Sequence, residues 1–562
     1  MSKLSVVIPT YNRAGRLRAC LDSLANQTAA PSSFEVVVVV DGSTDGTVDL
    51  LTQLKPPFPL RFICQENAGQ NAARNRGVSE AMSPLCLFLD DDIVADRRLV
   101  EEHLQAHGDD QDVVGIGQLT LRIPGEVDWF VRHYADGWAN HYDQLNRGAR
   151  APSWTDCFGG NLSAPRRELL ELGGFAPDLR KGHDVELGFR LVQKGLRLVY
   201  LPGALGHQDE RKGFSEVIRD SEEDGVAAAA IYQRHPSALP TVLGSYHHRW
   251  LRSILLQGVA LRLSVPPRML RALVELVGKR DERAFHFIRN YAYWRGVKRG
   301  LSSGETWRRL TGGTRILMYH AFGEGGERAS RYLVSIRAFR RQMAWLQQLG
   351  FQVLDLEEYL AIRQRHELPP RRSVVITIDD GYRDVGSLAA PALAARGLPA
   401  TVFPVSEKMG GVNDWSEGGE LSGRPLLSWE EARDLLHEGL SVGAHSRTHP
   451  DLTSLSPDAA WDQIRGSRED LERELEVPVP TFAFPYGATS PSLATMAGEA
   501  GFVGSCGVEE GLNTVGTPVH DLRRIEVFGT DSVFRFILKV WLGQTYLPRL
   551  RPRWLKLPGG SL

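Results

Sequence analysis

The chain has 562 residues, of which 42% are hydrophobic and 24% are charged, and its net charge is −2. That length exceeds what one hydrophobic core organises, and the composition excludes a disordered or fibrous chain. Five cysteines without paired spacing argue against a disulfide framework or a zinc knuckle. Residues 4–9 read as a short strand and not as a secretory signal, and no run of about eighteen apolar residues offers a membrane span. We therefore expect a cytoplasmic protein of two or three domains.

Short apolar strands alternate with polar turns and helical patterns in the first hundred residues. The fourth strand, 85–89, ends on Asp90-Asp91-Asp92. Three adjacent carboxylates repel one another unless a cation neutralises them, and Mg²⁺ or Mn²⁺ prefers such oxygens. A solvated acidic turn explains the run equally well when it is considered alone. The repeated strand, turn and helix predict a parallel sheet with its functional loops at one edge.

Four motifs follow one another at the ends of these strands: Val-Val-Ile-Pro-Thr-Tyr-Asn, Val-Asp-Gly-Ser-Thr-Asp-Gly-Thr, Asn-Ala-Gly-x-x-x-Ala-Arg-Asn and Leu-Asp-Asp-Asp. Together they make residues 3 to about 210 resemble a family-2 glycosyltransferase with the Rossmann-like GT-A fold, which binds a nucleotide-sugar. The resemblance implies that Asp92 is the ligand of Mg²⁺ or Mn²⁺. It also implies a set of nucleotide-sugar-binding residues, which are Thr10, Tyr11, Asp41, Arg74, Asp90 and Asp91.

Sugar transfer also needs a base that takes the proton of the acceptor hydroxyl. The stretch Gly182-His183-Asp184 resembles the acidic motif of the family at the start of a helix, with Asp184 in the position of the base and His183 replacing the commoner Glu. The alternative is that Asp184 only caps the helix. Glycine-rich stretches at 159–163 and 172–175 match the acceptor side of the family and favour the catalytic interpretation. No Gln-x-x-Arg-Trp motif follows, which favours transfer of one sugar per acceptor.

Residues 213–310 are predicted to form a helical bridge between this domain, 1–212, and a second one, 311–562. Between residues 249 and 309 there are fourteen Lys or Arg against four Asp or Glu, and from residue 535 to the end there are six against none. These basic segments also contain Trp250, Trp294, Trp307, Trp541 and Trp554. Such segments suit an anionic membrane surface or a phosphate-bearing substrate. A solvated helical surface is an equally good explanation of any one of them.

The second domain contains another buried strand that ends in paired acids, Asp379-Asp380. Two histidines four residues apart, His445 and His449, and a Pro-Tyr-Gly turn at 485–487 follow. The combination makes residues 314–530 resemble the polysaccharide deacetylases of carbohydrate esterase family 4, which have a distorted (β/α) barrel. The resemblance implies that Asp380, His445 and His449 bind Zn²⁺ or a similar ion and that Asp379 is the general base.

Two departures from that family bear on catalysis. Ala483 stands where an Arg usually steadies the base, and Leu522-Arg523-Arg524 stands where a Leu-x-His motif usually supplies the acid. We expect His320, at the end of the first strand, to be the substitute acid. The alternative is a buried histidine at a strand end without a catalytic role.

The sequence thus predicts an α/β, bifunctional enzyme. It would transfer an N-acetylhexosamine from a nucleotide-sugar, which we expect to be a UDP-sugar, to a glycan or a lipid-linked acceptor, and would remove an N-acetyl group. One alternative makes the second domain a non-catalytic carbohydrate-binding module. A weaker alternative makes the whole chain a scaffold on a membrane surface. We expect no nucleic-acid partner, and peripheral contact with the inner face of the membrane stays open.

Overall fold

The computed structural model describes residues 2–108, 112–123, 125, 127–210, 212–239, 251–324, 330–416, 418–507 and 509–545, with the backbone alone at 251–256. Trp250 and the basic tail beyond residue 545 lie outside these residues. By its contacts the chain divides into two compact units. The first comprises the described parts of Met1–Leu243 and Leu255–Leu301, and the second comprises the described parts of Gly244–Ile254 and Ser302–Leu562.

The first unit contains one mixed sheet of eight strands. The strands are β1 (Leu4–Thr10), β2 (Phe34–Asp41), β3 (Leu60–Gln65), β4 (Leu85–Leu89), β5 (Ile93–Ala95), β6 (Val113–Arg122), β7 (Asn161–Pro165) and β8 (Arg197–Asp209). Their order across the sheet is β3-β2-β1-β4-β7-β6-β8-β5. The first four strands are parallel, whereas β7 runs antiparallel to both β4 and β6. The carboxyl ends of β1, β2, β3 and β4 therefore meet at one edge.

Helices surround this sheet and continue beyond it. They are α1 (Ala14–Leu24), α2 (Thr47–Gln53), α3 (Gln70–Glu80), α4 (Leu99–His107), α5 (Trp129–Asn146), α6 (Arg166–Glu171), α7 (His183–Gln193), α8 (Phe214–Arg234), α9 (Leu251–Leu263), α10 (Pro267–Leu276) and α11 (Glu282–Gly300). Every residue of β1, β2 and β4 is buried, because successive side chains enter the cores on opposite faces of the sheet.

The second unit is a distorted barrel. Its strands are β9 (Arg315–Tyr319), β10 (Ala321–Gly323), β11 (Leu333–Ser335), β12 (Gln352–Leu354), β13 (Ser373–Asp380), β14 (Thr401–Pro404), β15 (Ser441–Val442), β16 (Thr481–Ala483), β17 (Gly504–Cys506) and β18 (Ile525–Glu526). Five of them form the continuous path β15-β14-β13-β9-β18, all parallel. Single bridges at Ala444–Phe482 and Cys506–Leu522 connect this path to the β16–β17 pair and close the ring.

Helices of the second unit cover the barrel. They are α12 (Gly304–Gly312), α13 (Ile336–Gln348), α14 (Leu356–Gln364), α15 (Ala390–Ala394), α16 (Trp429–His437), α17 (Pro457–Leu475), α18 (Pro491–Glu499) and α19 (Val533–Leu542). The expected α/β fold class is confirmed in both units. The exact division into three domains at residues 212 and 310 stays a prediction. Among the described helices, none combines the length and apolar content that crossing a bilayer needs.

Two glycines allow α8 and α11 to cross closely within the first unit. A Cβ atom added at Gly225 of α8 would collide with the carbonyl oxygen of Tyr293, and one added at Gly296 of α11 would collide with the carbonyl oxygen of Glu222. Only residues without a side chain let two helix backbones approach this closely. Helix α11 is thereby attached to the sheet-bearing unit through α8.

We predict that Gly296→Ala lowers the stability of the first unit by about 1–3 kcal/mol, because the added methyl group forces the two helices apart. Gly137→Ala in α5 is the matched control, since a Cβ at Gly137 meets nothing within 4 Å. Better helix propensity should make that control neutral or up to about 1 kcal/mol more stable. Scanning calorimetry of the full chain measures both. Equal effects of the two substitutions would contradict the close crossing.

Candidate functional sites

Asp91, in the middle of the acidic run, has its carboxylate in the interior of the first unit. Asp91 is buried, and its Oδ2 accepts a hydrogen bond of 2.7 Å from Thr10 Oγ1 at the end of β1. Its Oδ1 accepts from Arg13 at 3.1 Å. Burial raises the pKa of Asp91 to about 6, although the contacts with Thr10 and Arg13 oppose the rise. Asp91 therefore ties the ends of β1 and β4 together.

Arg74 of α3 connects the end of β4 to the start of α7. Its guanidinium donates to Asp90 Oδ1 at 2.6 Å and to the Gly159 carbonyl at 3.2 Å, and it lies 2.7 Å from His183 Nε2. Because a guanidinium only donates, His183 accepts, and burial lowers the pKa of this imidazole so that it stays neutral. The Gly159 N–H donates to Asp184 Oδ2 at 3.0 Å. A continuous hydrogen-bonded path thus joins Asp90 to Asp184.

Asp92 is paired with two arginine side chains that the sequence analysis did not assign to the site. Its Oδ2 accepts from Arg13 at 3.2 Å and from Arg16 at 3.0 Å, and its Oδ1 accepts from Gln208 at 3.2 Å. One carboxylate is what Mg²⁺ uses beside substrate phosphates. Asp92 therefore fits such an ion once the two arginines, which are half exposed, release it. The position of Arg13 directly after the Thr-Tyr-Asn motif was the available signal in the sequence.

Asp41, at the end of β2, holds the loop that precedes α3. Its Oδ1 accepts from Gln65 Nε2 at 2.7 Å and from the Ala68 N–H at 2.9 Å, and its Oδ2 accepts from the Gly69 N–H at 2.8 Å. Tyr11 lies at the same edge of the sheet and is 50% exposed. An acidic acceptor and an open aromatic ring at this edge suit a planar nucleobase.

The second unit gathers three metal-type ligands at the end of β13. One ligand atom from each of Asp380, His445 and His449 lies within 4.8 Å of the other two, and all three residues are buried. Asp380 Oδ1 lies 3.4 Å from His445 Nε2 and 3.3 Å from His449 Nε2. Burial opposes ionisation of Asp380, but the two imidazoles beside it hold its pKa well below the usual range. Within the described part of the chain, no other trio of His, Cys, Asp or Glu converges this closely.

The trio fits a zinc ion. His445 Nδ1 donates to the Ala483 carbonyl oxygen at 2.7 Å, and this fixes the tautomer whose Nε2 lone pair is available to a metal. Two imidazoles and one carboxylate are a usual ligand set of Zn²⁺ that leaves positions for water and substrate. Asp380, His449 and Tyr486 adopt left-handed backbone conformations, with φ of 70°, 64° and 55°. Such strain in non-glycine residues is concentrated at functional sites.

Arg524 pairs with the candidate base, a role that the sequence analysis missed. Its Nη1 donates to Asp379 Oδ1 at 2.7 Å, its Nε donates to the Gly507 carbonyl at 2.9 Å, and both charged side chains are buried. Burial opposes ionisation of Asp379, but Arg524 holds the pKa of that carboxyl below its usual value. The residue that steadies the base thus comes from the Leu522-x-Arg524 segment, while Ala483 contributes only its carbonyl oxygen.

Three further side chains lie next to the candidate metal ligands. Tyr382 lies beside Asp380, and Asn413 Nδ2 donates to the Tyr382 hydroxyl oxygen at 2.7 Å. Trp415 stacks on His449, with ring centroids 4.7 Å apart and an interplanar angle of 27°. Asn413 and Trp415 belong to one loop, which therefore packs near two of the three candidate ligands.

A cavity of about 420 Å³ opens over these groups. Asp379, Asp380 and both histidine ligands line it, as do Arg331, Tyr332 and Trp415. His320 also lines it, half-buried, with its ring centroid 5.0 Å from that of Tyr332. The structure therefore brings every predicted residue of the second site to one cavity of a size that accepts a sugar unit.

Comparison with known proteins finds a similar family for each of the two regions. The model of "Glycosyl transferase family 2" matches residues 5–172, and that of "Polysaccharide deacetylase" matches residues 366–504. Among curated proteins, the Validoxylamine A glucosyltransferase of Streptomyces hygroscopicus subsp. limoneus is 30% identical over an alignment of 279 residues, and the match covers 44% of this chain and 60% of that protein. The chain spans 60% and 64% of the length of the first two curated relatives that it matches.

Solved structures resemble each region separately. The deacetylase PplD of Streptococcus pyogenes, in complex with acetate, covers 41% of this chain and 98% of its own at 22% identity, with a TM-score of 0.35. The mannosyltransferase PcManGT of Pyrobaculum calidifontis, in complex with GDP-Man and Mn²⁺, covers 54% of this chain and 88% of its own at 19% identity, with a TM-score of 0.38.

We predict that the full chain binds one Zn²⁺ ion in the second unit and that His449→Ala weakens this binding by about 100-fold or more, because one of three protein ligands is lost. His437→Ala is the matched control, since His437 lies exposed in the last turn of α16. Competition with a chromophoric chelator measures the affinity. Similar zinc affinity of the His449 variant and the wild type would refute the assignment of the ligands.

Proposed function

Because the chain combines a family-2 glycosyl transferase domain with a polysaccharide deacetylase domain, we propose that it transfers a single N-acetylhexosamine from a UDP-sugar and removes an N-acetyl group from a sugar. The acceptor in this proposal is a glycan or a lipid-linked sugar at the inner face of the membrane. The observation that carries the proposal is that each unit holds both a candidate carboxylate base, Asp184 or Asp379, and a carboxylate suited to a metal ion, Asp92 or Asp380. Because both activities are proposed for one chain, we expect the two units to act on the same kind of N-acetylated sugar.

In the first unit, Asp184 would act as the base. Its Oδ2 is held by the Gly159 N–H and its Oδ1 by the Val185 N–H, so the carboxylate is oriented before the substrate arrives. It would take the proton from the acceptor hydroxyl while the hydroxyl oxygen attacks the anomeric carbon from the side opposite the leaving diphosphate. The nucleoside diphosphate leaves with the bonding electron pair, and the configuration is inverted.

The nucleotide-sugar would lie along the edge formed by the ends of β1, β2 and β4. Asp41 and Tyr11 would contact the base, Thr10 and Asp91 would keep β1 and β4 in register, and Asp90 would contact the ribose. Arg74 would lie near the diphosphate. A Mg²⁺ or Mn²⁺ ion at Asp92 would neutralise the charge that develops on the leaving diphosphate.

In the second unit, Asp379 would take a proton from the water that attacks the acetamide carbonyl carbon. The pairing with Arg524 keeps Asp379 ionised despite its burial, which is the state a base requires. His320, on the cavity wall, would give a proton to the amine as the carbon–nitrogen bond breaks, and acetate would leave. An ion held by Asp380, His445 and His449 would polarise the carbonyl and lower the pKa of the water.

The alternative is a second unit that binds carbohydrate without catalysis. The loss of Arg at position 483 and of the Leu-x-His motif motivates it. The buried pair of Asp379 and Arg524 speaks against it, because an ionised carboxylate is costly to keep in the interior without a use for its charge.

The central experiment incubates the chain with UDP-GlcNAc, membrane lipid extract, Mg²⁺ and Zn²⁺. We expect both sugar transfer to lipid and release of acetate. Asp184→Asn should lower only transfer, and Asp379→Asn should lower only acetate release, each by about 1,000-fold, because each removes one base. Absence of both reactions in the wild type would count against the proposal. Transfer and glycan binding without any acetate release would favour the binding-module alternative.

A second prediction concerns the partner of Asp379. Without the guanidinium, burial raises the pKa of Asp379, so Arg524→Gln should lose activity at higher pH than the wild type does as the solution is acidified. The acid limb of the pH profile should move up by about one pH unit or more, and kcat should fall by about 100-fold. Acetate release from a chitooligosaccharide, followed against pH, measures both.

Arg523→Gln is the matched control, because Arg523 is the neighbouring residue and its side chain is one-third exposed. It should leave the pH profile and the rate unchanged. An unshifted acid limb in Arg524→Gln at unchanged zinc content would show that Arg524 does not maintain the ionised base.

A further inference from the structure

Helix α10 of the first unit presents apolar side chains to solvent. Met269, Leu273, Leu276 and Val277 are 54%, 56%, 83% and 66% exposed. Successive helix residues are about 100° apart, so these four form one stripe along the helix and its C-cap. Large apolar side chains that are exposed singly are ordinary, but a contiguous stripe marks a surface that contacts something apolar.

Polar contacts on the other side of α10 keep this stripe turned outward. Arg271 donates to Asp128 Oδ2 at 3.2 Å and to Glu275 Oε1 at 2.8 Å, and Glu275 also accepts from Trp129 Nε1 at 2.8 Å. The Arg271 guanidinium lies over the ring of Phe214, 4.7 Å from its centroid. Rotation of α10 to bury the stripe would break these contacts with α5 and with the start of α8.

The preceding helix also carries exposed apolar side chains. Val259 and Leu263, near the end of α9, are 56% and 70% exposed. Ser264 follows them in the left-handed backbone conformation, with φ of 54°, and forms the turn between α9 and α10. We call the six exposed residues the α9–α10 face; they are Val259, Leu263, Met269, Leu273, Leu276 and Val277.

Exposed cations lie among these apolar residues in the chain. Arg262 and Arg268 precede Leu263 and Met269, and Lys279 and Arg280 follow α10. Residues 249–309 as a whole carry ten more positive than negative charges.

A depression of about 300 Å³ adjoins the turn between α9 and α10. Leu261 and Ser264 line it together with three cations of α11, which are Arg295, Lys298 and Arg299. Glu222 is the only carboxylate among its lining residues, and it pairs with Arg295 at 3.1 Å and with Arg299 at 3.6 Å. The surplus of positive charge gives this depression the chemistry of a site for a phosphate group.

We propose that the α9–α10 face docks the first unit onto a membrane of anionic phospholipids. The apolar stripe would enter the boundary between headgroups and acyl chains, and the cations beside it would contact lipid phosphates. This inference deepens the lipid-linked acceptor of the proposed function and rests on it for its purpose, because docking brings the transferase unit to the surface where such an acceptor lies.

Charge complementarity favours this occupant over a second copy of the chain. Two copies paired through this face would bring two sets of surplus positive charge together, which opposes association. An anionic bilayer offers the opposite charge beside an apolar layer, and it therefore satisfies both features of the face.

The test uses the full chain and vesicles of phosphatidylcholine, with and without about a quarter of phosphatidylglycerol. We expect the chain to sediment with the anionic vesicles, and binding should weaken when NaCl rises from about 0.1 to about 0.5 M. Leu273→Asp combined with Leu276→Asp should lower the partition coefficient by about tenfold or more, because two carboxylates would have to enter the interface.

The matched control places the same two substitutions elsewhere on the first unit, at Met82 and Leu170, which are also exposed. Met82→Asp with Leu170→Asp should change the partition coefficient less than about twofold. The proposal is overturned if the wild type does not bind anionic vesicles or if both pairs of substitutions weaken binding equally. It is also overturned if light scattering finds that the wild type is a dimer and that the variant with Leu273→Asp and Leu276→Asp is a monomer, since the face would then be a subunit interface.

Hydrolysis of UDP-GlcNAc in the absence of lipid separates this inference from the proposed function. The variant with Leu273→Asp and Leu276→Asp should hydrolyse UDP-GlcNAc as fast as the wild type does. An unchanged rate also establishes that the variant is folded. Vesicle binding that depends on the face, in a chain that turns over no nucleotide-sugar, would refute the proposed function and leave the docking surface standing. Nucleotide-sugar turnover without vesicle binding would refute the docking surface alone.

Discussion

Both candidate sites depend on one physical constraint, which is that a carboxylate at the end of a buried strand needs a compensating cation. Arg74 supplies it for Asp90 and Arg524 supplies it for Asp379, at 2.6 and 2.7 Å. Each arginine is almost fully buried, so removing its carboxylate partner would leave the guanidinium charge in the interior without compensation. The guanidinium geometry also leaves further donors free, and both arginines use one to hold a backbone carbonyl of a neighbouring loop.

These pairings convert a local motif into an organised site. In the first unit the path through Arg74 and Gly159 links the donor end, at Asp90, to the candidate base, Asp184. In the second unit Asp379 is paired with an arginine, whereas its neighbour Asp380 faces two imidazoles. Two adjacent acids thus receive different partners, and the difference separates a candidate base from a candidate metal ligand.

The motifs at strand ends could be predicted because the patterns are local. An all-apolar run followed by acids predicts a buried strand that emerges at a polar edge, and both Asp90 and Asp380 lie where that pattern places them. His445 and His449 could be paired because their four-residue spacing occurs together with Asp379-Asp380 and the Pro-Tyr-Gly turn. Arg524 could not, because 145 residues separate it from Asp379 and the barrel closes through single bridges that have no strand signature. The contact of Arg74 with His183, across 109 residues, was hidden for the same reason.

The sequence by itself determined the α/β class, the resemblance of each region to a known family and the residue types at both candidate sites, since these follow from short segments whose periodicity and composition are self-contained. The tertiary structure decided which charges are paired. Arg13 and Arg16 pair with Asp92. Arg524 pairs with Asp379, although position 483 is an alanine. The apolar stripe of α10 stays exposed. Pairing and exposure depend on which distant segments pack together, and hydrophobic burial, being non-directional, does not encode those partners in any local stretch of chain.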